Sequence, residues 1–128
     1  MLSENVATYL ENNGIGTKGT DIFIGAMPDT QDDAVLIEDT GGVEPDRYVE
    51  VKKNTIQSTI RDVSYKTGYE KTDSIYHLLH RKYDPTVLEI GGVDVMLIEA
   101  LSEPTYIGKD ENGRFMFTIN SVIWFRDA

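Results

Sequence analysis

The chain has 128 residues and a net charge of −10, with 40% hydrophobic and 27% charged residues. These proportions match an ordinary globular domain and exclude both a disordered chain and a fibrous repeat. Cysteine is absent, which removes disulfides, thiolate metal sites and cysteine nucleophiles, and makes a reducing compartment the expected setting.

Met1-Leu2-Ser3-Glu4-Asn5 has neither a basic nor an apolar leader, and no apolar run approaches the roughly 20 residues that span a bilayer. A soluble protein made in the cytoplasm, with no membrane partner, is expected. One domain over residues 1–128 accommodates the whole length.

In chain order, Leu2, Val6 and Tyr9/Leu10 recur at helical spacing, with Ser3 as candidate N-cap and Gly14 past the end. Asp21 to Ile24 and Ala34 to Asp39 predict strands. The first ends at Met27-Pro28-Asp29, and the second is expected to stop at Thr40-Gly41-Gly42. Val49 and Val51 share one parity and Ile56, Ser58 and Ile60 the other. A bulge or break is therefore expected around Lys52–Asn54, with a strand from Thr55 to Arg61.

Tyr65, Tyr69, Thr72, Tyr76, Leu79 and Tyr83 then alternate at steps of four and three, with Ile75 and Leu78 widening the stripe. They predict a helix ending before Asp84-Pro85. Val87–Ile90 and Val93–Ala100 predict strands hinged at Gly91-Gly92. Asp110-Glu111-Asn112-Gly113 is turn chemistry between Tyr106-Ile107 and a long strand from Arg114 to Phe125. That strand has apolar residues on both faces, as a central strand or one covered by a second subunit requires. The order of elements predicts an α+β fold, a mostly antiparallel twisted sheet with helices packed on one face.

The acidity is uneven. Residues 1–64 hold twelve acids against five bases, a balance of −7. Asp29, Asp32, Asp33, Glu38, Asp39, Glu44 and Asp46 fall in a stretch with no Lys or Arg. Such a surface repels phosphate, so nucleic-acid binding through a basic footprint is disfavoured; an acidic wall past which DNA slides is compatible.

Pro28-Asp29 followed by Glu50-Val51-Lys52 mimics a metal-dependent nuclease, in which Asp29 and Glu50 would hold magnesium and Lys52 would position water. Short patterns of common residues recur by chance, and the anionic surroundings oppose this reading. His77 and His80, flanked by Asp73 and Asp84, lack an identifiable third metal ligand. No nucleophile motif or phosphate-cradling glycine pattern is present, so no cofactor is expected. The tyrosine stripe reads as core or protein interface before it reads as a stacking platform or a small regulatory binding module.

Three stretches together resemble a known group. Ile37-Glu38-Asp39-Thr40-Gly41-Gly42, Thr55-Ile56-Gln57-Ser58-Thr59-Ile60-Arg61, and Pro104 through Phe115 with its Asp110-Glu111-Asn112-Gly113 turn look like small bacteriophage minor capsid proteins. These are similar to tail terminator and head-tail joining proteins of long-tailed phages. The resemblance covers about residues 15–125 and implies a non-catalytic ring subunit, commonly of a hexamer, that caps the tail tube and faces the head. It implies a place in the virion, the tail tube protein and head connector proteins as partners, and DNA only as passing cargo. By the same resemblance Thr40, Gly41, Gly42 and Arg61 would support loops or subunit contacts. The seven carboxylates from Asp29 to Asp46 would line an anionic rim or lumen.

Overall fold

A computed structural model describes residues 2–42, 51–80, 88–90 and 93–127. The chain runs α1 (Leu2–Asn12), β1 (Ile22–Ile24), β2 (Ala34–Gly42), β3 (Lys52–Asp62), α2 (Tyr65–Leu78), β4 (Leu88–Ile90), β5 (Val93–Ala100), β6 (Thr105–Lys109) and β7 (Phe115–Asp127). The strands form one sheet in the order β1-β2-β3-β7-β5-β4, with β6 also paired to β7. Among the described strands only β1 and β2 run parallel; every other pair is antiparallel. This is the α+β architecture expected from the order of elements.

The long strand β7 is central, which explains why both its faces are apolar. One edge pairs with β3 from Phe115 to Phe125. The other is shared by β6 at Phe115–Thr118 and by β5 from Ser121 onward. Val35 and Ile37 of β2, Ile56 and Ile60 of β3, Val95 and Ile98 of β5, and Phe117, Ile119, Ile123 and Phe125 of β7 pack in one core. Leu2, Val6 and Leu10 of α1 and Ile75 and Leu79 beside α2 join the same core, so both helices cover one face of the sheet. Tyr9 Oη, its pKa raised by burial, donates to the Leu78 carbonyl at 3.2 Å and ties the helices together.

Three local expectations change. Ser3 does not cap α1. The helix starts at Leu2, and Asp39 of β2 accepts from Ser3 N–H at 3.0 Å and Ser3 Oγ at 2.5 Å. A carboxylate from another element thus meets the exposed N–H groups and positive dipole end of the helix.

The strand expected to stop at Thr40 runs on to Gly42, and β3 pairs with β7 without interruption from Lys52. The irregularity expected at Lys52–Asn54 instead lies across the ladder, where the register shifts between Asp39 and Gly41. Gly41 has φ +110°, a conformation that L side chains rarely adopt. The glycine pair therefore bends the strand without ending it. Val49 and the Gly91-Gly92 hinge lie outside the described residues.

The buried face of α2 is Gly68, Thr72 and Ile75, continued by Leu79, so the predicted stripe faces the sheet at Thr72, Ile75 and Leu79 while Tyr65 and Tyr69 stay exposed at its edge. Gly68 sets this rotation. A Cβ there would lie 2.8 Å from Phe117 Cε2 and 3.0 Å from Asp62 Cβ, so only glycine lets the helix approach the sheet this closely. Gly68→Ala is expected to lower stability by about 1–3 kcal/mol, the usual cost of overpacking, despite alanine's better helix propensity. Urea denaturation measures it; a neutral or stabilising result would contradict the tight approach.

Candidate functional site

The turn chemistry of residues 110–113 builds more than a hairpin. Asp110 Oδ1 accepts from Asn112 N–H at 3.0 Å and Arg114 N–H at 2.9 Å, while Oδ2 takes Arg114 Nε–H at 2.8 Å. These bonds to Arg114 and Asn112 favour the ionised carboxylate and hold the Asp110 pKa below its ordinary value against the opposing effect of desolvation. Arg114 is only 2% exposed. Its Nη1 donates to the backbone carbonyls of Asp29, at 2.5 Å, and Gln31, at 3.3 Å.

Arg61, at the end of β3 and 3% exposed, reaches the same loop. It donates to the Pro28 carbonyl at 2.6 Å and also to the Gln31 carbonyl. Two buried guanidinium groups therefore hold the backbone of the loop 28–33 from beneath. Burial and the neighbouring positive charge of Arg114 lower the Arg61 pKa, and Asp110, Asp29 and Asp32 oppose that shift. With its carbonyls pinned inward, the loop turns its carboxylates out: the side chains of Asp29 and Asp32 are 92% and 71% exposed. Their separations from the guanidinium nitrogens, 3.6–4.0 Å, are those of loose, solvent-screened ion pairs.

The seven acids read as one rim are distributed otherwise. Asp29, Asp32 and Asp33 cluster at the end of the sheet held by Arg61 and Arg114. Glu38 and Asp39 follow along β2 on opposite faces, with Asp39 engaged by Ser3. Glu44 and Asp46 lie outside the described residues. Thr40, Gly41 and Gly42 occupy the far end of β2, where Thr40 Oγ1 bonds Thr55 Oγ1 at 2.7 Å and Thr55 Oγ1 donates to the Gly41 carbonyl at 3.1 Å. Gly42 is hemmed in: a Cβ would meet the Lys53 carbonyl at 2.8 Å. Thr40 lies seven positions along the chain from Asp33, a span of roughly 23 Å at strand rise. The Thr-Gly-Gly segment and the pinned acidic loop are thus two distinct regions.

The nuclease arrangement fails on the same geometry. Asp29 sits beside Arg61, while Lys52 begins the same strand nine residues earlier, roughly 30 Å away at strand rise. Glu50 lies outside the described residues. His77 and His80 do not converge. His77 pairs with Asp73 at 3.4 Å, and His80 stacks on Tyr76 and accepts the Ala100 N–H on Nδ1 at 3.1 Å, joining α2 to β5. Asp84 lies outside the described residues.

The tyrosines of α2 take part in a surface that their sequence spacing does not disclose. Tyr65 meets Tyr106, Phe115 and Phe117 with ring centroids 5.3–5.5 Å apart, and Tyr106 lies 5.4 Å from Phe117. Tyr69 extends the patch over Phe117, and the three tyrosines remain 43–47% exposed. Lys109 Nζ sits over the Phe115 ring at 4.7 Å. The patch adjoins β6, which among the described residues pairs only with β7 and has its other edge unpaired. Tyr83 lies outside the described residues.

No curated protein matches the chain. The family model described as "Bacteriophage tail terminator protein" matches residues 9–123, from the last turn of α1 through β7. That match takes in the acidic loop, both buried arginines, the Thr-Gly-Gly bend and the aromatic patch. The chain accordingly belongs to the bacteriophage tail terminator family, a family of structural phage tail proteins.

Proposed function

We propose that the protein is a subunit of a closed ring that caps the phage tail tube and offers its other surface to the head connector proteins. The observation that carries this reading is the exposed aromatic patch of Tyr65, Tyr69 and Tyr106 beside the edge of β6 that is unpaired among the described residues. Exposed aromatic residues grouped against an unpaired strand form an adhesive surface on a soluble monomer. In a ring each copy would cover its neighbour's patch through a head-to-tail contact, and the repeating rotation would close the assembly. Six copies is the number that the family resemblance implies.

The pinned loop supplies the complementary feature. Asp29 and Asp32 point to solvent from a backbone fixed by Arg61 and Arg114. We place this loop at the lumen, where fixed carboxylates would repel the phosphates of passing DNA within a Debye length of about 8–10 Å. Thr40, Gly41 and Gly42, at the other end of β2, are then available for contact with the tail tube or the head. Arg61 supports the loop from inside the subunit. The assembled protein resides in the virion after synthesis in the host cytoplasm.

Native mass spectrometry and electron microscopy of the purified chain test the ring. A discrete oligomer with a central hole is expected. Tyr106→Glu, which puts a charge into the half-exposed patch, is expected to shift that oligomer to monomer while leaving the circular dichroism spectrum unchanged. A wild-type chain that stays monomeric at high concentration, with and without tail tubes, would overturn the reading. So would a Tyr106→Glu variant that assembles normally.

A further inference from the structure

The loop 28–33 is fastened at a third point, where two carboxyl groups meet. Asp62, the last residue of β3, turns toward the helix-covered face and is only 2% exposed. Its Oδ1 accepts the Ser64 N–H at 2.8 Å. Asp33, at the end of the loop, places Oδ1 on the adjacent amide, the Val63 N–H, at 3.4 Å. Side chains that take consecutive backbone N–H groups are brought together, which makes Asp33 the carboxyl group beside Asp62. Asp62 Oδ2 is buried and has no donor among the described residues.

A buried carboxylate oxygen without a donor, facing a second carboxylate, is costly as it stands. One proton between the two groups removes both penalties, because it supplies the missing hydrogen bond and cancels one of two like charges. We propose that Asp33 and Asp62 share a proton in the folded chain, and that this proton latches the acidic loop onto the corner between β3 and α2, so that loop release depends on pH.

The surroundings favour the protonated pair. Burial is the main influence raising the Asp62 pKa, and the charge of Asp33 adds to it; the Ser64 N–H and the Lys71 ammonium on α2 oppose it. On β7 the residue opposite Asp62 is Phe115, and on α2 Gly68 lies against its Cβ; neither can titrate. A carboxyl whose folded pKa lies above its unfolded value contributes stability that is fully present below the unfolded value, about 3.8, and is lost as pH rises through the folded value. The latch is therefore closed in acid and loosens toward neutral pH. This sign is opposite to that of Asp110, whose depressed pKa contributes stability that is lost as pH falls.

The latch is independent of ring formation and is tested on dilute, monomeric chain. Carboxyl carbon chemical shifts of Asp33 and Asp62, followed by NMR in the wild type, should show a coupled titration with one step above the ordinary aspartate range. Amide protection in the loop 28–33 and at Val63, corrected for intrinsic exchange, should fall about tenfold for each pH unit across that step. In Asp62→Asn the amide can donate to Asp33 at every pH, so the same protection should vary by less than about twofold over this range. Asp33 and Asp62 titrating independently at ordinary values would overturn the proposal, without any need for the variant to fold. Protection of the loop by millimolar calcium at neutral pH would also overturn it, by identifying a metal ion in place of the proton.

Discussion

Phe117→Ala is expected to lower the unfolding free energy by about 3–5 kcal/mol, the usual cost of truncating a fully buried aromatic ring. Phe117 has no solvent exposure and sits near the start of the central strand, where β3 and β6 flank it. Its ring lies under Tyr65, Tyr69 and Tyr106, with centroids 5.3–6.2 Å away, and forms the wall against which Gly68 brings α2. Alanine removes the transfer free energy of the ring and leaves a cavity beneath the three tyrosines. Urea denaturation with an unchanged m-value measures the loss. Phe117→Leu, which restores most of the volume, should recover more than half of it. A loss below about 1 kcal/mol would mean that the helix does not pack on this ring.

The importance of Phe117 was visible in the sequence only as one apolar residue among several in the last strand. Strands and turns were readable because their signals are local: Asp110 to Gly113 forms the turn that its residue types demand. The buried face of α2 was less readable because the tightest contacts are made by its smallest side chains. Gly68 and Thr72 carry almost no hydrophobic weight, yet they face the sheet, while the larger Tyr65 and Tyr69 lie at the border of the contact. Periodicity reports apolar mass and cannot report how closely two backbones approach.

The same limit hid the extension of β2. Glycines that permit a turn also permit a bulge, and only the partner strand decides between them. At the candidate site the acids were visible and their grouping was not. Asp29, Asp32 and Asp33 are brought to one end of the sheet by arginines from β3 and from the turn preceding β7, distant in sequence. Arg61 came into view through the family resemblance. Arg114 entered the sequence reading only as the start of the last strand, although an aspartate four residues before it, across a tight turn, is a usable signal for a held guanidinium.

Arg114→Met is expected to cost about 3 kcal/mol, in the range for removing one member of a buried polar network. The loss has three parts. Asp110 Oδ2 loses its Nε–H donor, the carbonyls of Asp29 and Gln31 lose Nη1, and the loop 28–33 loses one of its two cationic supports. Arg61→Met should cost less, about 1 kcal/mol, although it is equally buried. Arg61 Nε has no partner among the described residues, and its charge is opposed by burial and by Arg114 itself, so removing Arg61 relieves a penalty as well as breaking two bonds. Arg114→Lys should recover little of the loss, because one ammonium cannot reproduce a fork that reaches the turn and the loop together. Urea denaturation ranks the three variants, and limited proteolysis at the loop should rank them in the same order. Equal losses for Arg61→Met and Arg114→Met would mean that the two guanidinium groups are interchangeable supports, and that the Asp110 turn adds nothing to the hold on the loop.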